Sequence, residues 1–331
     1  MSKGWGQKLK ILYVLDILKN HSDEQNPITA AAICEKLGEN GISAERKSVY
    51  SDIEALIDYG YDIVYSNSPK GYFLASREFE EPEIYLLCDA VRTAKFITPK
   101  KTRELVKKLD SLLSENSKNK RKNDIYVNYS QKCDNEEIFY NIDTISRAIA
   151  ENKKVTFKYI SKELKGHEFA EVKKDMKISP YALTWQDDHY YLIGNYEKYD
   201  NLLHLRLDRI SKASAIDQKA RFFGEVSEYK DFFDVADYTA KIFGMFSGEM
   251  ETIELCCKKK TAQTVADRFS EKIYISGVTD DEFRFSFKAA ISEALITFIM
   301  NFGDTVKVIK PQSLKEKVVN RAEKILKNYE N

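Results

Sequence analysis

Residues 204–210 (His204-Leu205-Arg206-Leu207-Asp208-Arg209-Ile210) bring four ionisable side chains into one short run. On a β-strand, whose side chains alternate between faces, His204, Arg206 and Asp208 share one side. Arg209 then leaves on the other side or at the strand end. Tyr181 and Tyr191 lie on neighbouring strand-like runs, with Ser179 just before Tyr181. Two guanidiniums, an imidazole, two phenol rings and a hydroxyl suit an anionic, base-containing ligand. Arginine forks hold phosphate through paired hydrogen bonds, and aromatic faces stack on bases. A plainer reading competes with this one, because Asp208 can pair with Arg206 or Arg209 and such pairs at a sheet edge contribute little. For Arg206, with His204 and Tyr181, ligand contact is the expectation; for Arg209 both readings stay open.

A second group lies near the N-terminus. Arg46, Lys47, Tyr50, Ser51 and Glu54 fall opposite an apolar stripe of Val49, Ile53, Leu56 and Ile57. At the start of a helix entering the major groove, Arg can donate twice to guanine, while Lys or Ser anchors phosphate. Ser48 belongs to the same first turns, and Lys70, in a turn-rich stretch further on, is placed to reach a neighbouring phosphate. Charge weighs against this, since residues 1–76 hold 8 basic and 10 acidic side chains. A solvated helix face used for protein contacts is the alternative.

Catalytic and metal chemistry find no footing. There is no GxxxxGK[ST], GxGxxG or GxSxG, and Gly4-Trp5-Gly6 leads into a helix with no strand before it. His21, His167, His189 and His204 are too dispersed for metal-ligand spacing. Cys34, Cys88, Cys133, Cys256 and Cys257 include no CxxC pair and read as free thiols of a reducing cytoplasm, one of the adjacent pair facing in and one out. The expectation is a protein that is not an enzyme and carries no cofactor. Its 331 residues suggest two or three domains, with 52 Lys and Arg balancing 52 Asp and Glu. No apolar run approaches the ~20 residues of a membrane span, and the first residues lack a signal-peptide core, so a cytoplasmic protein is expected.

The elements that position these groups fall into four segments. Residues 1–76 read as three helices and a hairpin, the order of a winged helix-turn-helix. The first helix runs from about Gln7 to Asn20, with Leu9, Leu12, Leu15 and Leu18 as its apolar positions. Thr29 caps the second helix and Gly38 stops it; Ser43 caps the third and Gly60 ends it. Tyr61–Tyr65 and Tyr72–Leu74 form the hairpin. Residues 77–140 are a helical linker, with helix starts at Pro82 and Pro99. Ser114–Asn123 reads as a loop bearing Lys118, Lys120, Arg121 and Lys122, and Lys95–Lys132 holds 11 basic against 4 acidic residues. Residues 141–220 open with a helix, Ile142–Glu151. Strands Val155–Ile160, Met176–Leu183, His189–Tyr196 and Leu202–Leu207 then make a small curved sheet or barrel. Residues 221–331 begin with an aromatic connector and continue as a βαβαβα sandwich. The fold class is multidomain α+β.

The sheet carries a family resemblance. His189-Tyr190-Tyr191-Leu192-Ile193-Gly194, followed by Arg206-Leu207-Asp208-Arg209-Ile210, resembles the WYL domain of bacterial transcriptional regulators. Tyr190 stands where the name-giving Trp is usual, and Pro180-Tyr181-Ala182-Leu183 matches that family's Pro-x-x-Leu strand. Ser43–Ile63 is similar to the winged helix-turn-helix that usually precedes it, with Lys47-Ser48 in place of part of the basic-Thr element and Ser51 in place of the second Arg. Asn301-Phe302-Gly303-Asp304 and Pro311-Gln312-Ser313-Leu314 resemble the WCX extension. The resemblance implies an Sm-like WYL sheet that senses a nucleic-acid-derived or nucleotide effector through Ser179, Tyr181, Tyr191, His204, Arg206 and Arg209. It further implies a homodimer binding a double-stranded operator through Arg46, Lys47, Ser48, Tyr50, Ser51 and Lys70. A different class stays open: an accessory protein of a defence or repair system that binds RNA or single strands through the sheet and residues 95–132.

Overall fold

The computed structural model describes residues 3–120, 132–269 and 273–330. The chain is a mixed α/β protein with three sheets among the described residues, dividing into two compact units, 1–134 and 135–331.

In the first unit α1 (Lys3–His21), α2 (Ala30–Glu39) and α3 (Arg46–Tyr59) precede a hairpin of β1 (Ile63–Asn67) and β2 (Lys70–Leu74). Val14, Leu18, Ile33, Leu37, Val49 and Ile53 form their common core. Thr29 caps α2 by accepting from the Ala32 N–H at 3.2 Å. The expected cap at Ser43 falls elsewhere: α3 begins two residues later, with Glu45 as its extended N-cap residue. Leu15 and Leu18 are buried, whereas Leu9 and Leu12 are exposed. Spacing by three drifts backwards around a helix of 3.6 residues per turn, and positions nine apart lie on opposite sides. Ile57 is exposed for the same kind of reason, at the margin of the α3 stripe. Gly60 closes α3 in the left-handed conformation (φ 117°). Gly71 admits a close approach of the chain before α2: a Cβ there would meet the Pro27 and Ile28 backbone at 2.8 Å. Ile28 and Tyr72 exchange backbone hydrogen bonds of 2.8 Å at that contact, tying the hairpin to the helices.

The same unit continues with α4 (Glu81–Thr93), α5 (Pro99–Asp110) and α6 (Glu115–Lys120). Ile84, Cys88, Val106 and Leu113 pack between them. A short helix therefore occupies part of the expected 114–123 loop. It is anchored by Ser114, whose hydroxyl caps Ser117 at 3.1 Å and donates to Asp23 at 3.0 Å. Arg121 and Lys122 of the expected basic cluster lie outside the described residues.

The second unit opens with α7 (Ile138–Ala150) and an antiparallel sheet in the order β6-β5-β4-β3-β7. Its strands are β3 (Lys153–Lys165), β4 (Glu168–Gln186), β5 (His189–Asn195), β6 (Leu203–Arg206) and β7 (Ile210–Lys219). A register shift between Pro180 and Ala182 bends β4, so that one long strand serves two halves of the sheet. Among the described residues the edges β6 and β7 are not laddered together, but joined by a 3-10 turn, Leu207–Arg209. Buried Asn141 on α7 secures that corner, donating to the Ile210 carbonyl at 2.8 Å and accepting from the Ala213 N–H at 3.3 Å.

The connector follows, with α8 (Val235–Ala240), and its Phe233, Tyr238, Ile242 and Met245 pack on Ala182, Ile193 and Leu202. Then come β8 (Glu249–Lys258), α9 (Ala262–Phe269), β9 (Tyr274–Ser276), β10 (Glu282–Ile291), α10 (Glu293–Met300), β11 (Val306–Lys310) and α11 (Gln312–Tyr329). The order β11-β8-β10-β9, antiparallel throughout, is a split βαβ arrangement with an additional terminal helix. Short β9 is the one strand here that the expected βαβαβα order lacks. Both Cys256 and Cys257 are buried, against the expectation that one would face out. Cys256 lies under Glu282, to which its thiol donates at 3.4 Å, and burial pushes the Cys257 thiol up to about 12.

Candidate nucleic-acid and effector interfaces

On α3 the first turns present Arg46, Lys47, Tyr50 and Ser51 to solvent, and Lys70 stands exposed where β2 begins. Neither Arg46 nor Lys47 makes an ion pair among the described residues. Ser48 departs from this set. Its hydroxyl and its carbonyl are held from within by Lys10 Nζ, which also sits 2.8 Å from Asp52 Oδ2. Lys10 is itself buried, so α3 is fixed on its inner side by a lysine that the outer face does not see. The aromatic neighbours were not legible in advance. Tyr50 lies 6.2 Å from the Tyr72 ring, and Tyr72 packs edge-on against Tyr65 at 5.0 Å, linking α3 to the hairpin.

On the sheet the six expected effector residues separate into neighbourhoods. Tyr191 is directly opposite Arg206, while Ser179 is opposite Asn195, four residues further along β5 or roughly 13 Å away at strand rise. At the first position Arg206 is half-buried and grips Asp208 with both arms of its guanidinium: Nε donates to Oδ1 at 3.0 Å and Nη2 to Oδ2 at 2.6 Å. Burial alone would lower the Arg206 pKa, but the hydrogen bonds and charge of Asp208 more than offset it and hold the guanidinium above its ordinary value. Tyr191 and Tyr159 are near enough to act on the same charge. Burial raises the Tyr191 phenol, with Arg206 and Arg209 acting the other way. Arg209 is exposed, and the carboxylate of Asp208 is taken by Arg206. The shared face expected of Arg206 and Asp208 is not a strand face, because Asp208 has already entered the 3-10 turn.

His204 is turned toward the connector. It shares a 2.9 Å hydrogen bond with the Tyr238 hydroxyl, and burial pushes its imidazole down to about 4, with the Met245 backbone acting weakly in the opposite sense. At neutral pH it is therefore an uncharged part of the packing. Ser179 is buried and accepts from the Arg221 N–H at 3.0 Å. Tyr181 packs on Phe223 and Phe233, and burial pushes its phenol up to about 12, with the Arg221 charge opposing. Its buried hydroxyl has no partner of good hydrogen-bond geometry among the described residues. Arg221, Tyr238 and Tyr159 were missed in the sequence. Each is a lone aromatic or basic residue without a motif, and only the fold brings it to the site. Among the described residues no three His, Cys, Asp or Glu side chains gather to hold a metal, and no helix is long and apolar enough to cross a membrane.

Two domain families match this chain: the WYL domain over residues 140–215 and the WCX domain over residues 249–326. The chain thus carries a WYL domain followed by a WCX domain. No curated protein matches it. Among solved structures it is similar to proteasome accessory factor B/C (PafBC) of Arthrobacter aurescens, at 16% identity and a TM-score of 0.29. That alignment covers 97% of this chain and 49% of the other, so the chain spans about half the length of PafBC. It is also similar to a CRISPR Cas-related protein, at 14% identity and a TM-score of 0.37, covering 100% of this chain and 87% of that one.

Proposed function

We propose that this protein is a ligand-responsive, non-enzymatic transcriptional regulator that binds duplex DNA through α3 and the β1–β2 hairpin. The observation that carries the reading is the unpaired basic start of α3 in a three-helix-plus-hairpin unit, on a chain that also bears WYL and WCX domains. Arg46 reads a base edge, Lys47 and Lys70 hold phosphates, and Tyr50 and Ser51 fill the groove beside them. The protein acts as a cytoplasmic homodimer, spacing two reading heads about one helical turn apart on an operator. The C-terminal domain helps to join the two copies.

The effector is anionic, a nucleotide or a short nucleic-acid fragment. It is met by Arg206, Arg209 and Tyr191, while Ser179, Tyr181 and His204 keep the sheet and the connector in register behind them. An arriving phosphate replaces Asp208 on the Arg206 fork, and its differential affinity for two arrangements of the protein shifts DNA binding by the same free energy. The test is operator binding by wild type and Arg206→Ala with short single-stranded oligonucleotides added. An effector response that survives the substitution unchanged refutes this site.

Two features favour a second reading, an accessory protein that binds single strands. Residues 1–76 carry 8 basic and 10 acidic side chains, and the Tyr50–Tyr72–Tyr65 cluster offers stacking surfaces beside α3. Loss of duplex binding on Arg46→Ala, with single-strand binding intact, selects the regulator.

A further inference from the structure

Part of the positive excess of residues 95–132 is gathered around a cleft of about 440 Å³ formed by α4, α5 and α6. Arg92 reaches it from α4, Arg103 and Lys107 from α5, and Lys118 from α6. Asp110 also lines the cleft, its Oδ1 accepting from the Cys88 thiol at 3.7 Å, and its charge offsets part of the positive excess there. Arg92 is buried, with Asp89 at 3.5 Å, and so contributes a desolvated charge at the base of the site. These cations outnumber the carboxylates of Asp110 and Asp89, and an anion placed among them is attracted by that excess. Between them lies Thr102, which is 1% exposed, and its hydroxyl has no hydrogen-bond partner among the described residues. A buried hydroxyl left unsatisfied costs about 1–3 kcal/mol, so an oxygen that bonds it from the cleft recovers free energy.

We propose that this cleft is a binding site for a small phosphorylated ligand of mononucleotide size, separate from the sheet and from the α3 face. Its volume falls in the range of about 300–1,000 Å³ typical of small-molecule sites. The guanidiniums and ammoniums suit a phosphate dianion, and Val106 with the methyl of Thr102 and the stems of the basic residues offers an apolar wall to a sugar or base. The site also has a mechanical setting. Lys118 sits on α6, which is tied to the end of α1 by Glu115–His21 at 2.8 Å and to the following turn by Ser114–Asp23 at 3.0 Å. A ligand bridging α5 to α6 thereby stiffens the support of the helix that carries Lys10.

Calorimetric titration of the full chain with AMP, UMP, inorganic phosphate and adenosine tests this directly. The expected result is saturable binding of one or both nucleotides, weaker binding of phosphate and none of adenosine. Arg103→Gln with Lys107→Gln, both exposed positions, weakens it by at least about tenfold, and Thr102→Val by about threefold. In Arg206→Ala, which removes the sheet's share of nucleotide binding, saturable binding to the cleft remains and still falls by at least about tenfold when the α5 pair is changed. The proposal is overturned by the absence of saturable nucleotide binding, by phosphate binding as tightly as the nucleotides, or by affinity that the α5 pair does not alter. Loss of binding in Arg206→Ala overturns it as well, by assigning the ligand to the sheet.

Discussion

Arg46 on α3 and Arg206 on β6 are the same side chain in opposite circumstances. Arg46 is exposed and makes no ion pair among the described residues, with Lys47 beside it. Arg206 is half-buried among tyrosines, and its fork is filled by Asp208. An open cation attracts any polyanion, with an affinity that salt erodes as counterions are released. A committed cation attracts only a ligand that does better than the carboxylate already there. On the function proposed above, the contrast separates binding from sensing: the proposed reading face is available, and the proposed sensing face is held by an internal competitor.

The largest test of this contrast is at α3. Replacing both Arg46 and Lys47 with Ala should weaken duplex binding by about 100-fold, combining a base contact with a phosphate contact, as fluorescence anisotropy would report. An unchanged affinity would remove the reading half of the comparison. Next comes the frame behind Arg206. His204 has a folded pKa of about 4 against an ordinary 6.5, so above pH 6.5 it is neutral in both states and stability is full. As pH falls from 6.5 toward 4 the unfolded chain takes up the proton first, and roughly 2 kcal/mol of stability is lost by about pH 5. Urea unfolding at several pH values should show this slope in wild type and not in His204→Gln. A smaller effect is expected at the competitor itself. Asp208→Asn should tighten effector binding by about tenfold, measured by titration with a short single-stranded oligonucleotide, because the fork is released. If Asp208→Asn weakens binding instead, Asp208 orients Arg206 for the ligand rather than competing with it. The smallest effect sets the baseline for exposed pairs. Glu228, placed between Lys241 and Lys288, should cost less than about 1 kcal/mol when changed to Gln, as thermal unfolding can register.

How much of this was visible beforehand depended on whether burial left a pattern. The α2 face of Ile33 and Leu37 and the α3 stripe of Val49, Ile53 and Leu56 are buried as their spacing predicts. The outer reaches of β3 and β4 are not, because Lys162–Lys174 is exposed over most of its length and has no apolar alternation for a period-two reading to find. β7 was missed for a related reason: Ser211-Lys212-Ala213-Ser214 carries no apolar alternation, and pairing with β3 is what makes it a strand. The charged residues of the site were legible as types and as candidate pairs, but not in their geometry. The sequence marks Arg206 and Asp208, but their bidentate contact depends on a 3-10 turn that ends the strand one residue early. Conversely, Ser179 and His204 look like ligand contacts until the connector, whose aromatic run carried no motif, closes over them. Lys10 lay on no motif at all, and only tertiary packing reveals its place beneath α3.

That buried lysine has a consequence for genetics. Lys10 faces away from any DNA that α3 would read, yet it holds Ser48 and Asp52 and so sets the tilt from which Arg46 and Lys47 reach out. In a screen for mutants that no longer occupy their operator, changes at Lys10 would score beside those at Arg46 although they touch no nucleotide. Second-site revertants would then map to α1 and to the inner side of α3, and a footprint drawn from mutant phenotypes alone would be wider than the surface that meets the double helix.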